Sequence, residues 1–115
     1  MGFLVNITLR WPPDLGDEAK APIIADERAR AAQLAASGHL VRIWRVPGRF
    51  ENWGLWRAAD ATELHELLTS LPAHPWITHV DVIPLASHPS DPASHGLRAS
   101  GGKQQAVKIL PAQGH

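Results

Sequence analysis

No cysteine occurs anywhere in the 115 residues. That excludes disulfides, thiolate nucleophiles and cysteine-ligated zinc, and it fits the reducing cytoplasm as the expected location. There is no tyrosine either, although there are five tryptophans. Large flat rings at Trp11, Trp44, Trp53, Trp56 and Trp76 suit the lining of a pocket or an interface. Neither charge is in excess, with 11 basic residues against 11 acidic. Such a balance supplies no basic stripe, so neither nucleic acid nor an anionic membrane is expected as a partner. No apolar run approaches the ~20 residues that span a bilayer. The start, MGFLVNITLR, lacks the basic head and long apolar core of a secretory signal. Dinucleotide-binding, P-loop and serine-triad signatures are all missing.

What is present is a regular alternation of patterns. The chain is 44% hydrophobic, enough to build a core, and its length suits one domain. Residues 3–10 alternate, with Phe3, Val5, Ile7 and Leu9 on one face, which predicts a strand ended by Pro12-Pro13. Residues 17–37 are rich in alanine and charge and end at Gly38, which predicts a helix. Pro22 either marks where its regular part begins or kinks its first turn. Strands are expected at 40–47 and 50–57, joined by the tight link Pro47-Gly48-Arg49. Asp60 and Glu63 resemble a capping box, and Leu64, Leu67, Leu68 and Leu71 form one stripe, so 61–71 reads as a second helix. Pro72 and Pro75 close it, and 76–85 reads as a fourth strand.

The order βαββαβ is the ferredoxin-like α+β arrangement, with two helices on one face of a four-stranded antiparallel sheet. The other face is left to solvent or to a second subunit, so at least a dimer is expected. Composition changes to Ser, Gly, Pro and Gln near residue 90. The division is therefore a domain over 1–91 and a flexible tail over 92–115, with Ala106–Leu110 as an apolar island within the tail.

Candidates for chemistry come from residues out of place in these patterns. At 100° per residue, Ile24, Glu27, Ala31 and Leu34 share one face of the first helix, while Asp26 turns to water with Arg30 and Gln33. A carboxylate on an apolar stripe is costly unless paired, and burial raises its pKa towards the range useful for proton transfer. Pairing with an arginine is the structural alternative. Asn52 shares a strand face with Phe50, Gly54 and Trp56 and is a candidate donor to a carbonyl or enolate oxygen. Arg45 suits a substrate carboxylate or simply neutralises Glu27. Seven histidines raise the question of a metal. His74 and His79 straddle a helix-to-strand turn, and His79 with Asp81 makes only two ligands, so no metal site is expected. His65, beside the leucine stripe, reads as a packing residue.

Several short pieces, in order, resemble the muconolactone Δ-isomerase family over about residues 3–91. They are Ala25-Asp26-Glu27-Arg28, Ile43-Trp44-Arg45-Val46 with Gly48, Asn52, Glu63-Leu64-His65, Leu71-Pro72 with Pro75, and His88-Pro89. The resemblance implies a ferredoxin-like subunit assembling through dimers into a ring, usually a decamer. It implies a cofactor-independent isomerase of aromatic catabolism, in the 3-oxoadipate route. Its substrate would be a small unsaturated lactone carrying a carboxymethyl arm. Glu27 would carry the proton, Arg45 or Arg28 would hold the carboxylate, and Asn52 would steady the carbonyl oxygen. Trp44, Phe50, Trp56 and His74 would line the substrate site. Phe50 stands where the family usually has tyrosine, Leu40-Val41 where it has Trp-Arg, and His74 where an aromatic is common. Dehalogenation of a chlorinated muconolactone, turnover of another cyclic substrate, and binding without catalysis are the alternatives.

Overall fold

The computed structural model describes residues 1–93. The compact unit Met1–Leu85 contains β1 (Gly2–Leu9), α1 (Asp17–Ala36), β2 (Leu40–Arg45), β3 (Glu51–Arg57), α2 (Ala61–Thr69) and β4 (Ile77–Leu85). A short 3-10 turn over His74–Trp76 leads into β4. The four strands form one sheet in the order β2-β3-β1-β4, antiparallel at every pairing. This is the expected ferredoxin-like order, with each boundary within about two residues of the sequence reading.

Local chemistry explains the joints. α1 begins at Asp17, so Pro22 lies inside it and neither opens it nor shortens it. Its missing N–H leaves the carbonyl of Glu18 without the usual donor. At the other end Gly38 adopts φ +84°, where a side chain is strained. The Gly38 N–H donates to the Ala35 carbonyl and the His39 N–H to that of Leu34, a Schellman close. α2 is held at its start by Asp60 Oδ1, which accepts from Glu63 N–H at 2.9 Å, while Glu63 Oε1 accepts from Ala59 N–H at 2.7 Å. The carboxylate of Glu63 thus reaches one residue further back than in the usual capping box.

The core sits between the sheet and both helices. Phe3, Val5 and Ile7 of β1 pack with Leu34, Leu40, Trp56, Leu64, Leu68 and Leu71. The inward face of α1 differs from the sequence reading by part of a turn. Ile23, Glu27, Arg30, Ala31 and Leu34 are the sheltered positions, whereas Ile24 is exposed. Arg30, expected in water, instead donates to Ser70 Oγ at 2.9 and 3.2 Å and ties α1 to the end of α2. His65, expected to pack, is exposed.

Beyond the compact unit, His88 Nδ1 accepts from Ser90 N–H at 2.9 Å and Asp91 Oδ1 from Ala93 N–H at 3.0 Å. The island Ala106–Leu110 lies outside the described residues.

Candidate active site

A cavity of about 610 Å³ opens at one end of the helix-facing side of the sheet. The first half of α1 supplies Ile23, Ile24, Glu27 and Arg28; the sheet supplies Ile7, Leu9, Ile43, Arg45 and Asn52; Leu71, Ala73 and Ile77 close the side. Strand alternation accounts for the sheet wall. Ile7 is paired with Asn52, and Asn52 with Arg45, so the three side chains form one row across the sheet on the face towards the helices.

Glu27 is partly buried on the facing wall, on α1. Its Oε1 accepts the backbone N–H of Ala73 at 2.9 Å. Among the described residues no ion pair joins it to Arg45 or Arg28. The carboxylate is therefore anchored by a neutral donor on one oxygen, and Oε2 has no hydrogen-bond partner among the described residues. Asn52 also carries an uncommitted atom. Its Oδ1 is buried without a hydrogen-bond partner among the described residues.

The remaining sequence candidates divide. Glu27, Arg28, Arg45, Asn52, Phe50 and Trp44 all border the cavity. Phe50 does so from an exposed loop end, and Trp44 from the sheet rim, since alternation turns its ring to the far face beside Trp53, with Arg42 stacked over it at 5.1 Å. Trp56 does not border it. That ring is 3% exposed and belongs to the core. His74 lies in the exposed 3-10 turn, also outside the lining.

Sequence reasoning did not single out Ile23, Ile43, Leu71, Ala73 or Arg49 for the site. Ile43 was recoverable, because it shares a strand face with Arg45. Ala73 was not, because its part is played by a backbone N–H that any residue but proline possesses. Trp11, noted only as one of five rings, also lines the cavity and packs on Trp76 at 5.4 Å between centroids.

Beside the site, Arg49 Nη1 pairs with Glu51 Oε1 at 3.2 Å, and the buried Asn6 donates to Glu51 Oε2 at 2.9 Å. The Asn6 hydrogen bond, then the one from Arg49, hold the Glu51 carboxyl below its ordinary range.

A carboxylate on α1 held by a backbone N–H, across the cavity from an amide and Arg45 on the sheet, is an arrangement in a small α+β domain that can perform general acid–base chemistry on a small organic ligand. The comparisons with known proteins give the family. Residues 1–91 match the family model described as Muconolactone delta-isomerase, and the chain belongs to that family. It is 35% identical over 89 residues to the Muconolactone Delta-isomerase of Rhodococcus opacus, covering 77% of this chain and 95% of that one. It is 36% identical over 90 residues to the enzyme of that name from Cupriavidus pinatubonensis, covering 78% and 97%. A crystal structure of muconolactone isomerase superimposes with a TM-score of 0.73 at 30% identity, over 79% of this chain and 94% of that one. A 5-chloro-2-hydroxyhydroquinone dehydrochlorinase from Burkholderia phenoliruptrix shares the fold, with a TM-score of 0.60 at 16% identity.

Proposed function

We propose that this chain is a cofactor-independent isomerase that converts muconolactone to 3-oxoadipate enol-lactone. The observation that carries the proposal is Glu27, tethered through Oε1 to the Ala73 N–H and facing the cavity shared with Asn52 and Arg45. Glu27 takes the ring proton from the carbon next to the ring oxygen. The electron pair of that C–H bond enters the ring, and negative charge develops on the lactone carbonyl oxygen. Glu27 then returns the proton to the carbon next to that carbonyl, and the double bond has moved with no net oxidation. Asn52 donates to the developing oxyanion. Arg45 or Arg28 binds the carboxymethyl group and aligns the ring. Phe50 covers the rim.

The test is an ultraviolet assay with muconolactone and, in parallel, its 5-chloro derivative. Turnover of the first with release of no chloride from the second supports isomerisation. Chloride release as the faster reaction moves the chain to dehalogenation, and turnover of neither rejects the proposal.

Two further assignments belong to the same proposal. The far face of the sheet carries Trp44 and Ile83, both 44–45% exposed, beside the less exposed Leu4, Trp53 and Leu55. We propose that a second copy covers this face and that the protein is a cytoplasmic homo-oligomer, a dimer at least and a decamer by family resemblance. Light scattering at micromolar concentration tests it, and a monomer throughout rejects it. The functional domain ends near residue 91, in keeping with the reach of the family match; deleting 92–115 is expected to leave the melting transition in place.

A further inference from the structure

Asn52, Gly54 and Trp56 follow one another on the helix-facing side of β3, from the cavity into the core. Two of the three carry an unpaired polar atom. Trp56 Nε1 is a buried donor and Asn52 Oδ1 a buried acceptor, and neither has a hydrogen-bond partner among the described residues. The indole lies back over Gly54: a Cβ at that position would stand 2.6 Å from Trp56 Nε1. The missing side chain thus makes room for the ring and brings its N–H towards Asn52. Alternate residues of a strand are about 6–7 Å apart on one face. Two hydrogen bonds of about 2.9 Å through one water span a gap of that order, and such a water would satisfy the buried indole donor and the buried amide acceptor together.

We propose that Trp56 is a positioning residue for Asn52, acting through a single buried water. The water accepts from Trp56 Nε1 and donates to Asn52 Oδ1. Asn52 is thereby held with its oxygen inward and its NH₂ towards the cavity, the orientation in which the amide can donate to an oxyanion. The catalytic part of this inference rests on the isomerase reaction proposed above; the water seat itself does not.

The experiment therefore has two arms. In ¹⁵N-labelled protein, the Trp56 indole resonance is identified by its loss in Trp56→Phe, and a rotating-frame cross-peak from its proton to water is sought. A direct cross-peak is expected, and its absence overturns the seat whatever the protein catalyses. The second arm is a double-mutant cycle on lactone turnover. Trp56→Phe is expected to lower kcat about tenfold with little change in KM, a smaller loss than the ~10²–10³-fold for removing an oxyanion donor outright. In an Asn52→Ala background the same change is expected to have no further effect on kcat. A full additional tenfold loss there overturns the coupling and leaves Trp56 a packing residue. If the parent turns over no lactone, the isomerase proposal fails, while the cross-peak still decides the water.

Discussion

The two ends of the helix-facing side of the sheet are built from the same three elements and behave differently. At one end Phe3, Trp56 and Leu34 are 1–3% exposed and meet in a closed core with Leu64 and Leu68. At the other end the same strands and helix present Ile7, Asn52 and Glu27, and they border a cavity. Each element changes character at about the same level: β1 from Phe3 to Ile7, β3 from Trp56 to Asn52, α1 from Leu34 to Glu27. Part of the cause is length. α2 is only nine residues long, so its leucines cover one end of the sheet and leave the other to α1 alone. A short helix therefore makes both a core and a site from one continuous surface.

The sharpest way to break this contrast is at Glu27. Glu27→Gln keeps an oxygen for the Ala73 N–H and removes the titrating carboxylate. It is expected to lower kcat ~10²–10⁴-fold with little change in melting temperature. A silent Glu27→Gln would reassign the chemistry. At the closed end the same contrast predicts the reverse signature. Leu34→Ala opens a cavity beside Phe3 and is expected to cost about 2–5 kcal/mol in denaturant unfolding, while the turnover of the protein that remains folded stays near the parent's. If Leu34→Ala instead reduces turnover as strongly as Glu27→Gln does, the two ends are not separable.

A smaller effect is expected beside the cavity, at Asn6. Asn6 is 5% exposed and donates to Glu51 Oε2 and to the Asn52 carbonyl. Asn6→Ala is expected to cost about 1–2 kcal/mol and to move the Glu51 carboxyl back up towards its ordinary range in an NMR titration. The linkage has a definite sign. With the folded-state pKa of Glu51 lowered, its ionised form stabilises the fold above the unfolded-state value, and that contribution is lost as pH falls through the folded-state value. The parent is thus expected to lose more stability than Asn6→Ala does on acidification below about pH 4.5, the ordinary carboxylate value; equal losses would remove Asn6 as the cause. The smallest effect is expected at Asp26, which is exposed one residue before Glu27. Asp26→Asn is expected to stay within about threefold of parent turnover, as exposed substitutions usually do, and a large loss there would show that the working face of α1 is misassigned.

Much of this contrast was legible in the chain. The period-two alternation of Phe3, Val5 and Ile7 set the buried face of β1, because a strand has only two faces to choose from. The leucine stripe and Asp60 cap set α2 in the same way. Helix phase was less legible. Ile24 and Ile23 are equally apolar, and α1 is so rich in alanine that its pattern distinguishes neighbouring faces weakly. The structure turns Ile23 further inward and uses Arg30 to bind α2.

The sequence by itself therefore determined the element order, the antiparallel sheet and the inward turn of Glu27, since local periodicity and capping act within one element. The tertiary structure decided which candidates meet. It placed Asn52 beside Arg45 through strand register, and it sent Trp56 into the core and His74 to the surface. It also supplied Glu27 with a partner 46 residues away, the N–H of Ala73. A backbone donor leaves no mark in residue type, so only the packing of α1 against the segment after α2 could reveal it.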